Sequence, residues 1–253
     1  MRAGVFDSGI GGLTVAKSLI EHRLFEEIIY FGDTARVPYG SKDENTIVRY
    51  SLEALEFFKN FDIDILITAC NTVSAYALPE LRRHAPFDVV GVIEPGVLSL
   101  ERLKLPKESS IMVLGTKATI RSRSYQEQLA QLGYHNITAM ATGLFVPLVE
   151  EGVFGGELLE AALNYYFGRQ ESPQAIILGC THFPLISHAI ANRFPQAALV
   201  HSGEAIVEYL KSNYHLREQE KETTLKLFAS ENPESLKRVA ALWLSDKTLE
   251  ANT

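Results

Sequence analysis

Cysteine is nearly missing from this chain of 253 residues: it has two, Cys70 and Cys180, alongside one tryptophan and three methionines. Two thiols make no disulfide scaffold, and without a Cys-x-x-Cys pair or a spaced histidine cluster they make no zinc site either. Excess positive charge is also lacking. A formal charge of −7 argues against general affinity for nucleic acid or for anionic membrane surfaces. No apolar run approaches the roughly 18 residues of a spanning helix. The few residues before the polar turn at Asp7 leave no room for the apolar segment of a secretory signal. A reducing cytoplasm, with both thiols free, is the expected setting. No low-complexity linker interrupts the chain, so its parts are expected to pack closely.

What is present is an alternation of short β-branched runs with longer segments of helical period, the pattern of βαβ units and a mainly parallel sheet. Strands are predicted at Gly4–Phe6, Glu27–Phe31, Ile63–Ala69 and Val89–Ile93, the last ending at Glu94-Pro95. Helices are predicted over 13–22 and 43–60, with a further one through Ala75 and Leu81. The pattern then restarts: strands at 110–114, 137–141 and up to Cys180, with helices over 122–132 and 157–167 between them. Pairing Val5-Phe-Asp with Val113-Leu-Gly, and Cys70 with Cys180, needs nearly the same offset, which points to a duplicated unit. The second unit closes near Ser202 to Ser212, and Arg217–Glu222 reads as a solvated charged loop. A short strand over 224–229 follows. Then comes a helix capped by Asn232 and Pro233, with Leu236, Val239, Ala240 and Trp243 as its apolar face. The expected fold is α/β, with two similar doubly wound domains, pseudo-symmetric, and a site in the cleft between them. Residues 1–92 plus 210–253 are assigned to the first domain and 93–209 to the second.

Each cysteine ends an apolar run and begins a polar one: Ile63-Asp-Ile-Leu-Ile-Thr-Ala-Cys-Asn-Thr72 and Ala175-Ile-Ile-Leu-Gly-Cys-Thr-His182. Carboxyl ends of strands are where α/β sheets place their binding crevices, and a helix start there lowers a thiol pKa. A small core residue is the ordinary role of a lone buried cysteine, but that role gives no reason to choose this spot twice. His182, two residues from one thiol, is placed to modulate a proton. Asp7, after the first strand, faces the same crevice or caps a turn. Glu150 either caps a helix or assists the site.

Asp7-Ser-Gly-Ile-Gly-Gly12 departs from the dinucleotide spacing G-x-G-x-x-G, although Asp33 falls where a ribose-binding acid sits. Gly115-Thr-Lys-Ala-Thr119 likewise lacks the G-K-[ST] order of a phosphate loop. These glycines read better as letting backbone N–H groups approach a small anion.

Five blocks carry a specific resemblance: Val5-Phe-Asp-Ser-Gly-Ile-Gly-Gly-Leu-Thr14, Gly32-Asp-Thr-Ala-Arg-Val-Pro-Tyr-Gly40, Ala69-Cys-Asn-Thr72, Val92-Ile-Glu-Pro95 and Leu178-Gly-Cys-Thr-His-Phe-Pro-Leu185. Together they resemble the glutamate racemases of the aspartate/glutamate racemase superfamily. The likeness extends through Gly115–Thr119 to Ser202-Gly-Glu204. It departs at Ser230-Glu-Asn232, where the family often has Ser-Gly-Asp, a segment expected to lie away from the chemistry. The resemblance implies interconversion of L- and D-glutamate without cofactor or metal, by two cysteines acting from opposite faces. It implies Cys70 and Cys180 as the bases, Asp7 and His182 as their assistants and Glu150 as a further one. Substrate binding falls to Asp7, Ser8, Pro38, Tyr39, Gly40, Asn71, Thr72, Thr116, Thr119, Thr181 and His182. It further implies a cytoplasmic homodimer supplying D-glutamate for peptidoglycan, with no nucleic-acid or membrane partner. Three rivals remain: a relative acting on aspartate or a hydantoin, a nucleotide-dependent oxidoreductase, and a non-catalytic amino-acid sensor.

Overall fold

Parallel β-sheet forms wherever a buried apolar run is followed by a helix that crosses back over it, and this chain repeats that step in two successive runs. The structure is a computed structural model describing residues 1–244. The first half runs β1 (Arg2–Asp7), α1 (Leu13–Glu21), β2 (Glu27–Gly32), α2 (Glu44–Phe58), β3 (Ile65–Thr68), α3 (Asn71–Tyr76), α4 (Leu78–His84), β4 (Asp88–Gly91) and α5 (Ile93–Arg102). The second runs β5 (Ile111–Gly115), α6 (Lys117–Ser122), α7 (Ser124–Gln131), β6 (Ile137–Ala141), α8 (Phe145–Glu150), α9 (Glu157–Phe167), β7 (Ala175–Gly179), α10 (Ser187–Arg193), β8 (Ala198–His201) and α11 (Ser202–Asn213). The chain then returns with β9 (Thr224–Ala229) and α12 (Pro233–Trp243).

Two sheets result, ordered β4-β3-β1-β2-β9 and β6-β5-β7-β8, with every pairing parallel. Read in reverse, the second order is β8-β7-β5-β6, which superposes step for step on β4-β3-β1-β2. The fold is thus two pseudo-symmetric α/β domains. Cys70 follows β3 and Cys180 follows β7, so the thiols stand at equivalent places in the two units. β9 has no counterpart; it pairs with β2 from Glu27↔Thr224 to Gly32↔Ala229.

The central strands are buried along nearly their whole length, as sheets covered on both faces require. Alternation divides the core. Val5, Ile67, Leu114 and Leu178 face inward into one cluster shared by both sheets, whereas Phe6 and Phe58, or Val113 and Leu129, pack under the outer helices. Among the described residues no helix is long and apolar enough to cross a membrane.

Three expected elements differ. The strand at 89–93 ends at Gly91, because Ile93 already opens α5 and Pro95 is tolerated in a first helical turn. The helix over 122–132 is α7, preceded by a short α6 not expected from the sequence; the two are separated at Arg123 in the left-handed region (φ 61°), where the Ser122 hydroxyl takes the Ser124 N–H at 3.2 Å. The helix through Ala75 and Leu81 is two, divided at Ala77, with Pro79 in the first turn of the second.

Candidate active site

Five strand ends converge on one small cavity. Ser8 after β1, Val37–Gly40 after β2, Cys70–Thr72 after β3, Thr116 after β5, Val146 on α8 and Cys180–His182 after β7 line a cavity of about 30 Å³. Both cysteines are free and buried. Outside it, a groove of about 510 Å³ shares Pro38, Gly40, Thr116 and Val146 with the cavity and is walled by Leu144, Pro147, Tyr165 and Tyr166.

The two thiols have different companions. The Cys70 thiol donates to the Ser8 hydroxyl at 3.4 Å. Burial pushes it up to about 12, the charge of Asp7 adding to the effect and the Ser8 hydrogen bond opposing it. Asp7 itself has no solvent exposure, and burial raises its carboxyl above the ordinary value against the charge of His182 and N–H donation from Gly9 and Gly12. Gly9 N–H reaches Asp7 Oδ2 at 2.9 Å and the Thr181 hydroxyl reaches Oδ1 at 3.4 Å.

On the other side, His182 Nδ1 lies 3.7 Å from Cys180 Sγ, and its Nε2 lies 3.1 Å from Glu150 Oε1. Burial opposes a charged imidazole, but hydrogen bonds to Cys180 and Glu150 outweigh it and raise His182 to about 10. The order thiol, imidazole, carboxylate is that of an activated nucleophile or base with its orienting group. Glu150, exposed at the end of α8, reaches this pair from the solvent side.

The remaining expected residues gather here at different depths. Ser8, Pro38, Tyr39, Gly40, Asn71, Thr72, Thr116, Thr181 and His182 are on the wall, while Asp7, Thr119 and Glu150 stand one layer back. The hydroxyls of Thr72, Thr116 and Thr119 bond one another at 3.0–3.1 Å across the two domains. Thr116 also caps α6, taking the Thr119 N–H at 3.2 Å. The stretch resembling a phosphate loop is thus a helix cap whose hydroxyl doubles as a domain contact.

The glycines after β1 allow close approach, Gly11 to the second unit and Gly12 to Asp7 of its own strand. A Cβ on Gly11 would fall 2.4 Å from Thr181 Oγ1 and 2.6 Å from the His182 ring, and one on Gly12 would fall 2.5 Å from Asp7 Cβ.

Asp33, at the position of a ribose-binding acid in a dinucleotide fold, is fully buried and already engaged. It accepts from the Tyr39 hydroxyl, from Arg36 Nε at 2.7 Å and from the Ser230 hydroxyl at 2.7 Å. The segment at Ser230, expected to be remote, thus reaches the cavity wall through Asp33 and Tyr39. Composition carried no signal for this link, since turn residues look alike whichever partner they find.

Among the described residues no group of three or more His, Cys, Asp and Glu side chains is arranged to hold a metal ion.

A family model described as Asp/Glu/Hydantoin racemase matches residues 15–210. The glutamate racemase of a Nitratiruptor species is 65% identical over 247 residues, covering 97% of each chain. The crystal structure of glutamate racemase from Campylobacter jejuni subsp. jejuni superposes with a TM-score of 0.95 at 53% identity, covering 96% of this chain and 98% of the other. That from Francisella tularensis subsp. tularensis, in complex with D-glutamate, gives 0.84 at 32% identity, covering 96% and 93%. Alike in sequence and backbone over nearly all its length, the chain belongs to the Asp/Glu/Hydantoin racemase family, on its glutamate racemase branch.

Proposed function

We propose that the protein is an amino-acid isomerase that interconverts L- and D-glutamate by a two-base reaction between Cys70 and Cys180. The observation carrying this reading is the placement of two free thiols at equivalent positions of two pseudo-symmetric units, both on the wall of one cavity. Inverting a carbon centre requires an acid and a base on opposite faces of it, and duplication supplies that pair directly.

In one direction Cys180, as thiolate, takes the α-proton. The new S–H bond forms as the Cα–H bond breaks, and the electron pair moves onto the α-carbon and its carboxylate. Cys70 then gives its proton to the opposite face and is left as thiolate, and the return reaction reverses the roles. Burial raises the Cys70 thiol, which supports Cys70 as the proton donor in this direction. The His182 ring, 3.7 Å from Cys180 Sγ, supports proton removal on the other side. General acid–base assistance of this kind contributes roughly 10²–10⁴-fold, and Asp7 is its counterpart beside Cys70. Hydroxyls and amides of Ser8, Asn71, Thr72, Thr116 and Thr181, with the backbone of Tyr39 and Gly40, are the donors proposed for the substrate's carboxylates. Exclusion of water strengthens those contacts.

The wider expectations belong to the same proposal: D-glutamate supply for peptidoglycan, a cytoplasmic location, a homodimer, and turnover without pyridoxal phosphate. So do the domain limits, 1–92 with 210–253 and 93–209. The pairing of β9 with β2 supports them, although α11 runs across position 209 and the end of the chain past 244 lies outside the described residues.

The test is incubation of purified protein with L-glutamate in deuterated water without added cofactor. Loss of optical rotation with α-deuteration is expected, and absence of both ends the proposal. Aspartate and hydantoin controls separate the superfamily relatives. Cys70→Ser and Cys180→Ser are each expected to abolish racemisation while either retains one-sided α-proton exchange; full racemase activity in either variant rules out the two-thiol assignment. A glutamate sensor would bind substrate and tolerate loss of both thiols.

A further inference from the structure

Tyr125 is fully buried on α7, outside the cavity wall, and touches the neighbours of both cysteines. Its hydroxyl donates to Asn71 Oδ1 at 2.6 Å, and Asn71 follows Cys70. Its ring lies against the backbone of Gly179, the residue before Cys180: a Cβ on Gly179 would fall 3.0 Å from Tyr125 Cε2. Burial and the nearby charge of Cys180 keep the phenol protonated, against a Ser202 hydrogen bond that works the other way, so it remains a donor. With Oδ1 taken by Tyr125, the Asn71 amide turns its nitrogen to the Ser202 hydroxyl at 3.2 Å. The Asn71 side chain, from the first unit, is thus held by two groups of the second, while the same ring backs the strand end that presents Cys180. All three hydrogen-bonding groups are buried.

We propose that Tyr125 is a positioning residue that fixes the distance and orientation between the two cysteine-bearing segments by holding Asn71 through its hydroxyl and Gly179 through its ring. The inference rests on the two-thiol reading above. A two-base reaction needs both sulfurs in line with one α-carbon, and a misplacement of about 1 Å costs on the order of 10²-fold. One side chain in contact with both segments ties their motions together.

Tyr125→Phe keeps the ring on Gly179 and removes only the donated hydrogen bond. The expected result is a kcat lowered roughly tenfold or more from either enantiomer, with KM moved less than about threefold. Purely structural support would lower the melting temperature and leave kcat of the folded enzyme alone. A wild-type kcat in Tyr125→Phe, whatever its melting temperature or KM, overturns the proposal. Iodoacetamide labelling of the substrate-free protein, read at each cysteine by mass spectrometry, gives a second measure independent of the reaction. Labelling of Cys70 is expected to be about fivefold faster or more in the variant. Should the wild-type protein fail to racemise glutamate, the function above falls, and labelling alone decides: an unchanged rate overturns the positioning role. If Tyr125→Phe does not fold, Ser202→Ala, which withdraws the other group on Asn71, is read by the same measures against the same outcomes.

Discussion

At His182, burial and bonding pull in opposite directions, and the outcome has a pH signature. Its pKa rises from 6.5 to about 10 on folding, because contacts to Cys180 and Glu150 outweigh the cost of burial. A folded-state pKa above the unfolded one means stabilisation that is complete below about 6.5 and lost as pH climbs through about 10. His182→Asn removes that contribution. The gap in melting temperature between the parent and this variant is therefore expected to narrow steadily from pH 6.5 to 10. A gap that stays constant across the range means that His182 is not held as a cation. The same variant is expected to lose on the order of 10²-fold in kcat at neutral pH, since Cys180 then has no proton partner.

At the scale of elements, the cavity depends on two arrangements that look unrelated to it. One is the glycine turn between β1 and α1. Gly11→Ala would press a methyl into Thr181 and His182. A drop in kcat/KM of about 10²-fold or more is expected, with helix and strand content by circular dichroism unchanged; parent-like turnover would mean that the turn yields freely. The other is the anchor of the loop after β2, where Ser230 at the end of β9 bonds Asp33, which in turn holds Tyr39. Ser230→Ala is expected to cost about 1 kcal/mol of stability by denaturant melt and to raise KM several-fold, since it leaves one side of a buried carboxylate unpaired. Unchanged KM would detach Ser230 from the site.

Much of this was legible beforehand, because apolar runs that stop abruptly before Asp7, Cys70 and Cys180 can be read locally. Boundaries at Gly91 and Arg123 were not, since side-chain caps and the competition between strand and helix for Val92 and Ile93 are settled by tertiary neighbours. Nor was the place of Asp33, since two of its donors, Arg36 and Tyr39, sit in its own loop but the third, Ser230, comes from beyond β9.

Taken whole, the molecule brings its two units together at the site. Pro38, Gly40, Thr116 and Val146 line both the small cavity with the two thiols and the wide outer groove, and the expected entry for a substrate is past these residues. Gly40 closes against Thr116 there, where an added Cβ would fall 2.4 Å from Thr116 Cβ. Gly40→Ala is expected to lower kcat/KM roughly tenfold or more while moving the melting temperature by only a few degrees; wild-type kcat/KM would show that closure does not limit the reaction.

The parallel pairing of β9 with β2 has a consequence for how the molecule is made. Residues 111–201, which contain the second sheet, form one uninterrupted stretch and can take shape as soon as they leave the ribosome. The first sheet cannot be completed then. Its strand β2 emerges early and waits, one edge bare, until Thr224–Ala229 have been translated. Ser230 arrives later still, and with it the last support for Tyr39. A nascent chain therefore holds both cysteines before Thr224–Ala229 complete the first sheet and Ser230 reaches Asp33.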